Sequence, residues 1–374
     1  MQNKNLHIIS FDNPFPPDYG GIIDVFYKIK ALHALGFKIH LHCFYDSRNT
    51  VSPELKAVTE EVYLYKKNKN SFFFFSTVPF SVKSRFHNNL VKNIAKIDAP
   101  IFFEGLQTTM LLRKVSLKNK IYLRLHNLES NFYRGMTSSE TNWFKKIIFY
   151  FEYKKYKSYQ KILNQFDQVF AISNYEYNAV KAVTEKVTYL PVFHGNTKMA
   201  TLSDYGNYAF YHGDLRLSDN KKAAQFVIEI FKEIPEYSLI IASSNGKEFI
   251  ENQVKDFSNI NFVSIENEKH LDMLLEKAHI NVMLSFQQSG TKLKVINSLF
   301  KSRFCLINKN MVDDQRILEL CEIASFKEEF ILKIKQLIVK PFLDNKNREV
   351  LLLDVLNDAK NANVILELFK NPVT

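Results

Sequence analysis

Apolar runs of strand length recur along the chain, and most are followed by a segment with helical spacing. Leu6 to Phe11, Ala99 to Gly105, Lys120 to Glu129 and Asp167 to Ser173 are near-continuous apolar runs, the signature of parallel strands buried on both faces. Phe37 to Phe44 alternates and reads as a further strand. Helical spacing predicts a helix from about Ile22 to Leu35, stopped at Gly36, and another from Asn174 or Tyr175 to Val183. After KVTYLPV the pattern lapses into FHGNTKMATLSDYGN, a polar linker. A second series starts at Tyr208 with strand YAFYHG, helix KKAAQFVIEIFKEI and strand YSLIIAS. It continues with a helix near Lys247–Val254, strand INFVSI, helix HLDMLLEKA and strand INVMLSF. The stretch from Ser285 to Asn310 then gives a turn at Gln287–Gly290, a helix opening at Thr291, and strand FCLIN. A single apolar-periodic helix is predicted from about Asn345 to Phe369.

Alternating strands and helices in two runs predict an α/β chain of two Rossmann-like domains, with parallel sheets facing one another across a cleft. The expected domains are 1–198 and 207–350. In such sheets ligands sit outside the carboxyl ends of the strands, which directs attention to the residues that close each run. Gly20 and Gly21 follow the first strand after a proline-rich loop, but this is not GxGxxG, and a dinucleotide site is disfavoured. Glu104 closes one run; His126 and Asn127 close another. Near Gly290 the turn offers backbone N–H groups at a helix N-terminus beside Lys292, a place suited to phosphate or another anion.

With 374 residues and 46% hydrophobic positions, the chain is long enough for two ordinary domains with substantial cores. A net charge of +11 and a pI near 9.2 suggest an acidic partner: nucleic acid, an anionic membrane surface or a phosphorylated ligand. No recognisable nucleic-acid motif accompanies the charge, so nucleic acid is not expected as a partner. Cys43, Cys305 and Cys321 are dispersed and odd in number, which fits a reducing cytoplasm and neither a disulfide framework nor a metal site. No run approaches a membrane span. Two segments nevertheless interleave aromatics with lysines, SFFFFSTVPFSVKSRF and WFKKIIFYFEYKKYKSYQK. Both suit either a membrane interface or a core-packed helix with a basic face. The expected location is cytoplasmic, with peripheral contact at the inner membrane face as a candidate.

The motifs DYGG, RLHNLE, HGDLRLSDN and SGTKLKVINSLFKSRFCLIN, in this order and spacing, resemble the GT-B glycosyltransferases, in particular glycosyltransferase family 4. The resemblance covers nearly the whole chain. It implies two Rossmann-like domains with an interdomain cleft and a C-terminal helix, about 355–374, crossing back to the first domain. It also implies a UDP- or GDP-sugar donor used as co-substrate, no further cofactor, and a glycan or lipid-linked acceptor. By matched position, Gly20 and Gly21 form the glycine loop near the donor phosphate, and His126 contacts the donor sugar. Arg216 meets the diphosphate, with Lys221 or Lys222 supplying charge where relatives carry lysine at the position of Asn220. Ile265 to Glu268 reads the base, and Ser289, Gly290 and Thr291 hold the diphosphate. The family's two glutamates, eight positions apart, are replaced here by Ser289 and Asn297. Asn297 still offers hydrogen bonds to a ribose.

Such a transfer builds positive character at the anomeric carbon and negative charge on the departing phosphate. Arg216, a lysine at 221 or 222, Lys292 and the Gly290–Thr291 helix start would meet that charge. The chain has no Asp-x-Asp triplet and no His/Cys cluster, so a metal-independent reaction is expected, and the resemblance implies that it retains stereochemistry. Glu104 is the carboxylate expected to position the acceptor. A nucleotide-sugar epimerase of the same fold and a non-catalytic sugar-nucleotide scaffold stay open as alternatives.

Overall fold

The computed structural model describes residues 4–287, 292–343 and 346–370. The chain forms two compact domains, residues 1–195 with 356–374, and residues 196–355. Both are Rossmann-like. In the first, strands β1 (Asn5–Ser10), β2 (Lys38–Tyr45), β3 (Glu61–Lys66), β4 (Ile101–Glu104), β5 (Ile121–Leu125), β6 (Gln168–Ala171) and β7 (Val187–Tyr189) make one parallel sheet. Its order is β3-β2-β1-β4-β5-β6-β7, so the chain reverses direction across the sheet between β1 and β4. The second sheet holds β8 (Tyr208–His212), β9 (Leu239–Ser243), β10 (Ile260–Ser264), β11 (Ala278–Met283), β12 (Phe304–Ile307) and β13 (Glu322–Ile323). Its order, β10-β9-β8-β11-β12-β13, reverses between β8 and β11.

Several boundaries differ from the sequence reading. Gly20 and Gly21 are not a turn before the first helix but its first two residues, Gly20–Ala34. Gly21 is half-buried against β1's exit, where a Cβ would stand 2.8 Å from the Phe11 ring, so only glycine fits without moving that ring. The run from Lys120 to Glu129 is strand only to Leu125; Glu129 opens a helix, Glu129–Ser139. The expected single tail helix is two, Lys346–Val355 and Asp358–Lys370. Asn357 breaks it by capping: its Oδ1 accepts the N–H of Lys360 at 3.0 Å. The second of these helices returns to the first domain. There Phe369 stacks on Tyr122 of β5 at 4.1 Å, and Asp358 accepts the Gly195 N–H at 2.8 Å.

Histidines on β1 and β2 form a buried one-way relay. Asn93 donates to the Tyr65 hydroxyl (3.0 Å), which donates to His42 Nδ1 (3.0 Å). His42 Nε2 then donates to His7 Nδ1 (3.1 Å), and His7 Nε2 to the Ile97 carbonyl (2.9 Å). Each ring has one donor and one acceptor in use, so both must be neutral. Burial lowers the pKa of His7, partly offset by its bond to Ile97. It lowers that of His42 further, and a proton there would also be repelled by Lys96 and by any proton on His7 or His40. His212, at the end of β8, is pushed down to about 3 by burial and by Lys294. The unfolded chain protonates these rings near pH 6.5 while the folded chain does not. Stability is therefore fully present above that pH and falls as the solution is acidified. For a ring that stays neutral over the whole range, as His212 does, the expected loss is about 1.4 kcal/mol per pH unit. Thermal denaturation between pH 8 and 5 checks this: a melting temperature that stays level or rises on acidification would refute it.

Candidate functional site

Each domain has a switch point where the carboxyl ends of two strands leave a crevice, and most of the sequence-predicted residues cluster at one or the other. At β1/β4 in the first domain, Glu104 ends β4 and His126 follows β5 directly. They are brought together: His126 Nε2 lies 3.0 Å from Glu104 Oε2. Three residues not singled out in the sequence complete the cluster. Lys28 Nζ stands 2.8 Å from the Glu104 carboxylate and 3.1 Å from Asp24 Oδ2. Arg124 holds Asp24 with two bonds, Nε to Oδ2 at 3.1 Å and Nη2 to Oδ1 at 2.7 Å. It also donates to the carbonyls of Leu190 and Pro191, and Asp24 Oδ1 accepts the Phe193 N–H at 2.9 Å. All five side chains are buried. Burial alone would raise the Asp24 pKa, but Arg124 and Lys28 outweigh it and hold the carboxyl well below the usual range.

Two carboxylates against two permanent cations balance to neutrality, which is what makes burial of so many charges tolerable. The pairing also fixes the imidazole. A carboxylate accepts only, so Nε2 carries the His126 proton and Nδ1 is left as an acceptor. That Nδ1 is buried and has no hydrogen-bond partner among the described residues; Asp24 Oδ2 stands 3.8 Å from it. Asp24, Glu104 and His126 also bring potential metal-ligand atoms within 4.8 Å of one another. However, the Lys28 ammonium already lies between the carboxylates, where a metal's charge would otherwise act. The donor set fits a lysine better than an ion.

Gly20 and Gly21 begin the helix that carries Asp24 and Lys28. As its first two positions, they have N–H groups with no intrahelical acceptor, and Gly20 is exposed. No acidic residue occupies that first turn.

In the second domain, Arg216 lies on the loop after β8, its side chain 71% exposed and paired with Asp214 at 2.7 Å. From the helix that follows, Ser218–Phe231, Asp219 reaches across to the exit of β11. Its Oδ2 accepts the Ser285 hydroxyl (2.8 Å) and its Oδ1 the Phe286 N–H (3.1 Å). Asn308 and Asn310 donate to the Ser285 carbonyl at 2.8 and 3.0 Å, so the strand exit is clamped. Ser289, Gly290 and Thr291 lie outside the described residues. Lys292 directly precedes the helix Leu293–Lys301. Lys294, on that helix, has its ammonium 5.1 Å from the Tyr211 ring on β8. Its pKa is lowered to about 8 by loss of water and by the charge of Lys292, with Asp219 acting the other way. Lysines 292 and 294 thus put positive potential at the carboxyl edge of β8 and β11.

Lys221 and Lys222 diverge. Lys221 lies over Phe249 at 5.2 Å, in the helix after β9, whereas Lys222 lies over Phe286 at 5.3 Å, beside the β11 exit. Lys222 is therefore the better placed to face a ligand at the switch point. Ile265 follows β10, its N–H bonded to Ser243 O at 3.1 Å, farther from the switch point than β9. Asn297 is half-buried, and its Oδ1 accepts Asn196 Nδ2 at 3.0 Å.

No protein-family model matches the chain. A curated relative, an uncharacterised 44.6 kDa protein in the cps region of Klebsiella pneumoniae, is 24% identical over 319 residues, spanning 79% of this chain and 81% of that protein. Among solved structures, a sucrose-phosphate synthase from Thermosynechococcus elongatus superimposes with a TM-score of 0.69 at 14% identity, covering 98% of each chain. HepE from Anabaena, solved in complex with UDP-glucose, gives 0.67 at 11% identity, covering 98% of this chain and 99% of that one. These likenesses show the fold, the two Rossmann-like domains of GT-B glycosyltransferase structures.

Proposed function

We propose that this chain is a glycosyltransferase that moves a sugar from a UDP- or GDP-sugar to a glycan or lipid-linked acceptor, in the synthesis of a surface polysaccharide or glycoconjugate. The observation that carries this is the convergence of Arg216, Lys222, Lys292 and Lys294 on the carboxyl ends of β8 and β11. Support comes from the UDP-glucose bound by HepE, whose fold this chain shares. The acceptor oxygen bonds to the anomeric carbon as the bond from that carbon to the phosphate oxygen breaks. The acceptor's proton passes to the departing phosphate. Charge growing on that phosphate meets fixed cations and helix-terminal N–H groups, which favour the transition state over the ground state. With lysines and an arginine meeting the diphosphate, the reaction runs without a metal. A departing phosphate that takes the proton on the same face gives retention.

His126 Nδ1, an acceptor without a partner among the described residues, accepts a hydrogen bond from a hydroxyl of the donor sugar. Glu104 and Lys28 hold that ring in its tautomer, so Glu104 acts on the reaction through His126. Gly20 and Gly21 let ligand atoms approach the first helix's N-terminus. Ser289, Gly290 and Thr291 supply amides to the diphosphate, Ile265 reads the base, and Asn297 meets the ribose once released from Asn196. The test is incubation of the purified chain with a panel of nucleotide sugars and extracted lipid-linked glycans, followed by mass spectrometry. An acceptor heavier by one sugar, with free UDP or GDP, is the expected result. A changed sugar on an intact nucleotide would identify an epimerase, and nucleotide binding without any product a scaffold; either would overturn the proposal.

A further inference from the structure

We propose that one face of the first domain docks on an anionic phospholipid bilayer, built jointly by the two aromatic–basic segments. The helix Trp143–Tyr159 already satisfies the core with one stripe: Glu152, Tyr156 and Tyr159 are buried, and Tyr156 stacks on Tyr133 at 5.5 Å. A surface helix needs only one such stripe. A second, at spacings of three, four and seven, faces outward: Trp143 (71% exposed), Phe144 (61%), Ile147, Tyr150 and Phe151. Beside it the single helical turn Ser71–Phe75 presents Phe72 (76% exposed) and Phe75 (88%). The two are tied together: Lys155 Nζ donates to the Phe74 carbonyl at 2.8 Å, and Glu152 accepts the Phe80 N–H at 2.9 Å.

The charge on this face identifies the occupant. Glu152 is the one acid in either segment, and it is buried in those bonds. Lys145, Lys146, Lys154 and Lys157 are exposed, with no ion pair among the described residues. A second copy of the chain would set these lysines against their own kind, so self-association is disfavoured. Rings interleaved with lysines match a headgroup boundary, where aromatics enter the acyl edge and ammonium groups meet lipid phosphate. Among the described residues no helix is long and apolar enough to cross a membrane, so insertion stops at that boundary.

Trp143 is the only tryptophan, so its emission reports this face alone. The full chain is mixed with phosphatidylcholine vesicles, with and without phosphatidylglycerol, in the absence of nucleotide and glycan, so the result stands apart from the transferase reading. A blue shift and co-sedimentation with the anionic vesicles only, reversed by salt, are expected. Neutralising each lysine should weaken partition about fivefold, so Lys145→Gln/Lys146→Gln/Lys154→Gln should lose about a hundredfold. Phe72→Ser/Phe75→Ser should also release the protein while leaving nucleotide binding unchanged. No shift with anionic vesicles, a shift without lipid accompanied by a doubled mass, or binding that neither variant weakens would each overturn the proposal.

Discussion

Replacing Lys28 with methionine should destabilise the first domain by about 3–5 kcal/mol, a large share of a domain's total stability of about 5–15 kcal/mol. Lys28 is fully buried and, among the described residues, is the only permanent cation paired with Glu104; Arg124 is committed to Asp24. Methionine keeps the length of the side chain but leaves Glu104 an uncompensated charge in a site closed to water. The double variant Lys28→Met/Glu104→Gln removes charge and counter-charge together and should recover much of the loss. Urea denaturation followed by a probe in the first domain checks both. A Lys28→Met chain within 1 kcal/mol of the parent, on the scale of an exposed pair, would mean that water reaches the cluster.

Arg216→Ala and Lys292→Ala should behave in the opposite way, leaving stability nearly unchanged while each lowers the transfer rate by about 10²–10³. Arg216 is mostly exposed, and its pair with Asp214 contributes little to folding. In the proposed reaction its fork of donors, which the Asp214 carboxylate now occupies, would meet the diphosphate. On that proposal a donor phosphate would exchange for Asp214 without reorganising the strand exit, because Asp219, Asn308 and Asn310 already fix Ser285. Steady-state kinetics with melting curves separate the outcomes. A fall in both rate and melting temperature would make Arg216 structural, and an unchanged rate would remove it from the diphosphate.

The order of strands and helices was legible because parallel strands, covered on both faces, are near-continuous apolar runs. The exceptions follow from the same rule. β3, EVYLYK, alternates at a sheet edge, and β13 spans two residues. Glu104 and His126 could be named separately as residues closing strands, but not as partners. The contacts that join them come from Lys28, 76 residues before Glu104, and from Arg124, 100 residues after Asp24. A signal did exist: Asp24 and Lys28 at i, i+4 on the inward face of a helix, and an arginine inside the strand IYLRL, are charges where the pattern demands none. Likewise, each aromatic segment alone fits a core helix. Only their contact through Lys155 and Glu152 shows that the excess rings share one outward face.

Whether the second domain grips a pyrophosphate at the ends of β8 and β11 is decided by a crystal of the full chain grown with UDP-glucose. Diphosphate oxygens are expected about 3 Å from the Arg216 guanidinium and the Lys292 ammonium. Density for the nucleotide elsewhere, with Arg216 still closed on Asp214, would contradict it.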